Sequence, residues 1–220
     1  MCTDRVVGLA EPVGCLLTTN DKQRIGLPMT SSEPTSQHQN SHAQMRARVL
    51  ASATELLVED GFDRLRMDTV AARSGVPIDA LHQQWHTVDR LIADVFAAAN
   101  ENWLPADTGS LLDDLTAMNK EIDAALNTPQ SAVSALIAAS FRSAEVREAM
   151  HQFVAERYRR CSSIVTRAIE RGELAAGTDP VRLLVAATAP VYHQLLLPRG
   201  TTSDELTAQA AHDAVAPFRP

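Results

Sequence analysis

The sequence predicts an all-α protein in two parts, a small N-terminal three-helix unit followed by a larger helical body. Three observations carry that reading. Aromatic residues are only 4% of the 220-residue chain and alanine is frequent, a composition that favours helix over sheet. From Met45 onward apolar residues recur at intervals of three and four, the spacing that lines up one face of a helix. Between these stretches stand Gly, Pro, Ser and Thr in the places where helices end and begin,.

Residues 1–40 carry Gly, Pro, Ser, Thr, Asn and Gln without periodicity and end in SSEPTSQHQNSHAQ; they are expected to be a disordered tail. Met29 opens a short polar leader, so translation is expected to begin there and residues 1–28 to be absent from the cellular protein. The first helix follows from Met45, with Val49, Leu50, Ala53, Leu56 and Leu57 on one stripe,. Gly61 ends it as a left-handed cap, and Phe62 folds back on the stripe. The second helix places Met67, Val70 and Ala71 on one face, and Gly75 supplies a turn,. Pro77 biases Val76 away from helical angles and starts the third helix, which docks through Leu81 and Trp85. Together these segments spell a helix-turn-helix inside a three-helix unit. A fourth helix, from about Val88 to Trp103, turns Leu91, Ile92, Val95, Phe96 and Ala99 inward,.

The remainder reads as longer helices. One carries Leu111, Leu112, Leu115, Met118, Ile122 and Leu126, and a second, SAVSALIAASF, is nearly all apolar,. The longest is capped by Ser143 and holds a stripe from Val146 to Ile169,. Asp179 and Pro180 form a cap and first-turn pair for a helix that Pro190 should kink. Thr202 with Glu205 forms a capping box for the last helix, to about Ala216. The two final helices are largely apolar, and a second copy of the chain is the natural cover, which predicts a homodimer.

Composition narrows the function. A net charge of −7 argues against broad coating of nucleic acid but leaves room for a small local DNA-binding face. No stretch approaches the roughly 20 uncharged apolar residues of a membrane span, and Glu11 and Pro12 split the only signal-like run,, so a cytoplasmic protein with no membrane association is expected. Cys2, Cys15 and Cys161 form no CxxC pair, which supports neither a disulfide framework nor a cysteine zinc site. His82 and His86 stand four apart, but Gln83 occupies the place of a zincin glutamate,; no metal and no other cofactor are expected. No phosphate-binding glycine loop or nucleophile elbow occurs, and no acid–base pair is recognisable, so the chain is not expected to be an enzyme.

The residues VLASATELLVEDGF, MDTVAARSGVPIDALHQQW and VDRLIADVF resemble the head of the TetR family of bacterial transcriptional regulators, with glycine, alanine and apolar positions in register over residues 49–96. The weaker similarity of RAIERGELAAGTDPVRLLVAATAPVYHQLLL extends it to residues 45–198. The resemblance implies a TetR-type helix-turn-helix domain over 41–100, with its motif at 66–85, and a regulatory and dimerisation domain over 101–220. It further implies a homodimer through the last two helices, a double-stranded operator as partner, a small-molecule effector, and repression as the outcome.

The DNA-facing residues it implies are Arg46, Arg48, Arg66, Arg73, Ile78, Asp79, Ala80, His82, Gln83 and Gln84. Several depart from the family pattern: Pro77 stands for a capping hydroxyl, Asp79 and Ala80 for small or hydroxyl residues, His82 for a phosphate-touching Tyr, and Val88 for a Lys on phosphate. Over residues 41–91 six arginines face seven acids. Since phosphate contacts dominate affinity, DNA binding weaker than the family norm is expected, with His82 making it pH-dependent. Candidates for an effector pocket are Arg142, His151, Tyr158, Tyr192 and His193, polar groups on apolar stripes,, with satisfied core or interface positions as the alternative for each. Two other readings stay open: a dimer whose DNA head has degenerated into a ligand- or protein-binding module, and, more weakly, an enzyme using the body cavity.

Overall fold

The computed structural model describes residues 34–219, with side chains from residue 41 onward. The described residues are helical throughout, with two short 3-10 turns and no strand. The expected start at Met29 and the tail as far as residue 33 lie outside the described residues. Helix α1 (Pro34–Asp60) begins inside the stretch read as tail, because its polar first turns offer no apolar spacing from which a helix could be inferred.

The head is built by α1, α2 (Met67–Ser74) and α3 (Ile78–Trp85). Val49, Ala53, Leu57, Val70, Leu81 and Trp85 are buried together in one core; each large apolar side chain there contributes about 1.5–3 kcal/mol. Gly75 adopts the left-handed conformation, φ 68 and ψ 24, and its amide returns to Ala71 O at 3.0 Å, so α2 stops where the expected turn lies. Gly61 is not the left-handed cap the sequence suggested. Its φ of 78 and ψ of 167 fall in a region essentially reserved for glycine, and the chain leaves α1 extended, into a 3-10 turn at Phe62–Arg64. Pro77 precedes α3 at φ −56 and ψ 139 instead of opening it, and offers no side-chain cap.

Helix α4 (Val88–Glu101) starts with the Thr87 hydroxyl accepting from Arg90 N at 3.1 Å. It ends before Trp103, which the periodicity had placed within it. A polar network ties the head together around one carboxylate. Asp94 of α4 accepts from Trp85 Nε1 at 2.9 Å and from Arg46 Nε and Nη2 at 2.9 and 2.7 Å. Burial works against its charged form, but the Arg46 and Trp85 hydrogen bonds hold the Asp94 carboxyl below its ordinary value,.

The body comprises α5 (Leu111–Leu126), α6 (Ala132–Ser140), α7 (Ala144–Glu170), α8 (Pro180–Leu196) and α9 (Asp204–Val215). Their cores join the head's, since Leu136 and Ala139 of α6 and Val146 of α7 belong to the head cluster. The buried Asn119 of α5 donates to Ala187 O at 3.1 Å and Thr207 O at 2.9 Å, fastening α5 to α8 and α9. The caps at Ser143 and Asp179 form as expected. The capping box at Thr202 does not: Ser203 caps α9 by accepting from Leu206 N at 3.1 Å, and the Thr202 hydroxyl turns to Asp123 instead. Helix α8 runs through Pro190, where the carbonyl four residues earlier, on Ala186, loses its donor. Both residues are exposed, so that loss falls on the outer face. Among the described residues no helix is long and apolar enough to cross a membrane.

Two consequences are measurable. Leu81→Ala, which empties a fully buried site, should cost about 2–5 kcal/mol in urea unfolding. Because the folded Asp94 carboxyl lies below its ordinary 3.8, its contribution is present above that value and is lost as pH falls through the folded value. The urea midpoint should therefore drop more steeply below about pH 4 in the wild type than in Asp94→Asn.

Candidate nucleic-acid interface

Helix α3 is eight residues long and divides cleanly. Leu81 and Trp85 are 0% and 2% exposed and fix the helix to the head, while Ile78, Asp79, His82 and Gln83 face outward and Ala80 is half-buried. The outward set is the part of the head that is free to meet a groove. Gln84 departs from the expected surface: it is half-buried, and its Oε1 lies buried without a hydrogen-bond partner. The His82 ring nitrogen Nδ1 lies 3.4 Å from the carbonyl oxygen of His86, and His86 closes α3 with its amide on His82 O at 3.2 Å and φ 59. Among the described residues no three His, Cys, Asp or Glu side chains gather as a metal site.

The arginines differ from one another. Arg48 is exposed and carries no ion pair among the described residues. Arg66 forks onto Asp68, with Nη2 to Oδ2 at 2.9 Å, and the hydrogen bonds from Arg66 pull the Asp68 carboxyl below its ordinary value. Arg73 lies on Glu59 at 2.8 Å and on Glu55 at 3.4 Å, lowering Glu59 in the same way. Arg46 is held most firmly, by Asp94 at 2.7 Å and Glu101 at 2.9 Å with its side chain only 25% exposed, and Asp94's hydrogen bonds raise its pKa further. Exposed pairs are worth about 0–1 kcal/mol, so a phosphate can take Arg66 or Arg73 from its carboxylate at small cost. Arg46 would have to abandon two carboxylates and a buried network, and it acts as a strut of the head.

In the body, two of the five expected pocket residues converge. Tyr158 lies 3.4 Å from the Thr188 hydroxyl. Tyr192 is pushed up to about 12, chiefly by burial and then by Tyr158, with Arg157 opposing. Cys161 is likewise pushed up to about 11 by burial. The centre of this group is Arg157, which the sequence reading missed. Its guanidinium stacks 3.9 Å from the Trp103 ring, donates to Ala99 O at 3.1 Å and leaves a buried Nε without a partner; burial lowers its pKa. Trp103 in turn donates to Glu121 at 3.1 Å. An arginine four residues after Phe153 and one before Tyr158 on the long apolar stripe was the available signal. The other three candidates lie elsewhere. Arg142 is exposed and forks onto Asp63 of the head at 2.9 and 3.1 Å, His151 is exposed beside Glu148, and His193 faces outward on α8.

Comparison with known proteins bears on the fold and the family. Residues 105–214 match the family model described as "Tetracyclin repressor-like, C-terminal domain". The chain is 30% identical over 191 residues to the HTH-type transcriptional regulator AqdR of Rhodococcus erythropolis, covering 86% of this chain and 90% of that protein. It is 32% identical over 157 residues to the DNA-binding transcriptional repressor TetR of Mycobacteroides abscessus, covering 69% and 82%. Among solved structures, the TetR family transcription regulator SCO0332 superposes with a TM-score of 0.63 at 26% identity, over 80% of this chain and all of that one. A helix-turn-helix head, a body that fits the family model and a relative alike over most of both lengths make this chain a member of the TetR family, a DNA-binding transcriptional regulator.

Proposed function

We propose that the chain is a homodimeric repressor that reads its operator with α3 and is released or engaged by a small molecule held in the body. The observation that carries the reading is the division of α3, two buried anchors against an outward face of Ile78, Asp79, His82 and Gln83. Gln83 is suited to bidentate pairing with adenine, and Arg48 has the freedom to hold phosphate. Dimerisation is supported by the outer face of α8, where Val181 and Val185 are 50% and 43% exposed, followed by Leu197 at 74%. Water-facing apolar side chains of this kind along α8 fit a self-complementary contact,. The half-buried polar group of Arg157, Tyr158 and Tyr192, set among apolar walls, is the best-supported place for an effector,.

The neutralised arginines favour a second reading, a head that no longer binds DNA selectively and a body that works as a ligand- or protein-binding module. Binding to the DNA upstream of its own gene separates the two. The repressor reading expects selective binding that Gln83→Ala weakens by about 1–3 kcal/mol and that Arg48→Ala weakens on all sequences alike, reducing the slope of log affinity against log salt by about 1. Gln84→Ala should leave sequence preference unchanged. Absence of selective binding at low salt decides for the module. For the assembly, Val185→Asp places a charge in the proposed contact and should turn a dimer into a monomer in sedimentation.

A further inference from the structure

Four arginines among the described residues are half-buried, and three of them hold a carboxylate. Arg46 lies on Asp94 at 2.7 Å, Arg160 on Glu156 at 2.7 Å and Arg167 on Asp107 at 3.1 Å. Arg157 is the fourth, and among the described residues it has no ion pair. Other arginines without an ion pair, Arg48, Arg64 and Arg147 among them, are exposed, where water compensates the charge. Taking a charge out of water without an opposite one is costly, so Arg157 stands apart as a cation short of a counter-ion.

The surroundings of Arg157 leave one edge of it open. The Trp103 ring lies 3.9 Å and the Phe153 ring 5.1 Å from the guanidinium carbon, and aromatic faces attract a cation without supplying a negative charge. Nη2 is spent on Ala99 O, and Nε is shut away from water. Nη1 makes no hydrogen bond among the described residues and is open to solvent, which leaves its N–H donors free. Glu121 acts on the guanidinium only from beyond ion-pair distance; its Oε2 accepts from the Trp103 indole, and it stands exposed, where water and salt screen it,. The Tyr192 phenol also feels the Arg157 charge, and its hydroxyl has no hydrogen bond among the described residues. Beside Tyr192 the half-buried Ile122, Val133 and Ile137 pack on Leu126 and Val191 with part of their aliphatic surface uncovered.

We propose that the missing carboxylate belongs to the effector: the body binds a monocarboxylic acid with an apolar frame, its anionic group on the Nη1 edge of Arg157 and its frame over Tyr192 and the aliphatic side chains beside it. One unpaired cation matches one negative charge, which sets a carboxylate apart from a phosphate of nearly twice the charge. This assignment rests on the body as the effector site.

Calorimetric titration of the full chain with decanoate and with 2-naphthoate, each beside its uncharged amide, tests the charge directly. At least one acid should bind saturably and about tenfold more tightly than its amide, as expected of a hydrogen bond to a charged group. Arg157→Gln should weaken that acid to the level of its amide and leave the amide unchanged, which also reports an intact fold. Arg157→Lys keeps the charge without the planar edge and should retain part of the preference; it carries the test if the glutamine variant does not fold. Arg147→Gln, the same loss of charge at an exposed position of α7, should change nothing. Equal affinity for acid and amide overturns the anionic effector while leaving the body as an apolar site. A preference for the acid that survives Arg157→Gln places the carboxylate elsewhere and overturns the proposal, as does binding of neither acid.

Discussion

Helix α4 has to be buried on two sides, and the rest of the molecule is arranged around that demand. One side delivers Leu91, Ile92, Val95 and Phe96 to the core of the head. The other meets α7, where the Phe96 and Phe153 rings lie 5.5 Å apart and Arg157 and Asn100 exchange hydrogen bonds with opposite backbones. A helix between two solvated domains would leave them free to move apart. Here head and body share apolar side chains, and Arg142 reaches back to Asp63 at the edge of the same junction. Moving the head relative to the body must therefore disturb these shared contacts, which favours discrete alternative positions over gradual drift.

The same arrangement explains why the head is economical with positive charge. Of its arginines, Arg46 is consumed in holding α1, α3 and α4 together through Asp94. Arg66 and Arg73 rest on neighbouring carboxylates in exposed geometry, where desolvation is slight and exchange for another anion is nearly balanced. A residue count gives all three the same weight, whereas burial separates a structural cation from two that are in reserve.

Much of the fold was legible in the sequence because apolar spacing and caps are local. The stripes from Val49 to Leu57 and from Val146 to Ile169 needed no tertiary information, and Gly75, Ser143 and Asp179 marked the ends they marked in the structure. The misses share a cause, which is competition from groups distant in the chain. Thr202 lost its capping role because Asp123 of α5 offers its hydroxyl a partner, leaving Ser203 to cap α9. Gln84 was counted in the DNA-facing set that the resemblance implies, but it is half-buried and its Oε1 is shut away from water. Arg157 was overlooked because one of the five arginines of α7 looks as solvated as the rest until Trp103, far behind it in the chain, folds over its guanidinium. Helix α3 itself was readable, but the availability of each arginine was not.

Arginines that rest on their own carboxylates also bear on how such a regulator finds its target. A genome is mostly wrong sequence, and each wrong site is a shallow trap whose depth is set by attraction to phosphate. A head in which Arg66 and Arg73 must first leave a carboxylate gains less from each phosphate than one with free cations, which makes those traps shallower,. If α3 meets the groove as proposed, the exchange of Asp68 and Glu59 for phosphate oxygens coincides there with base contacts that hold the complex. Weak general adhesion thus becomes an asset in the search, since occupancy in a crowded genome follows the ratio of right to wrong binding more than the strength of either.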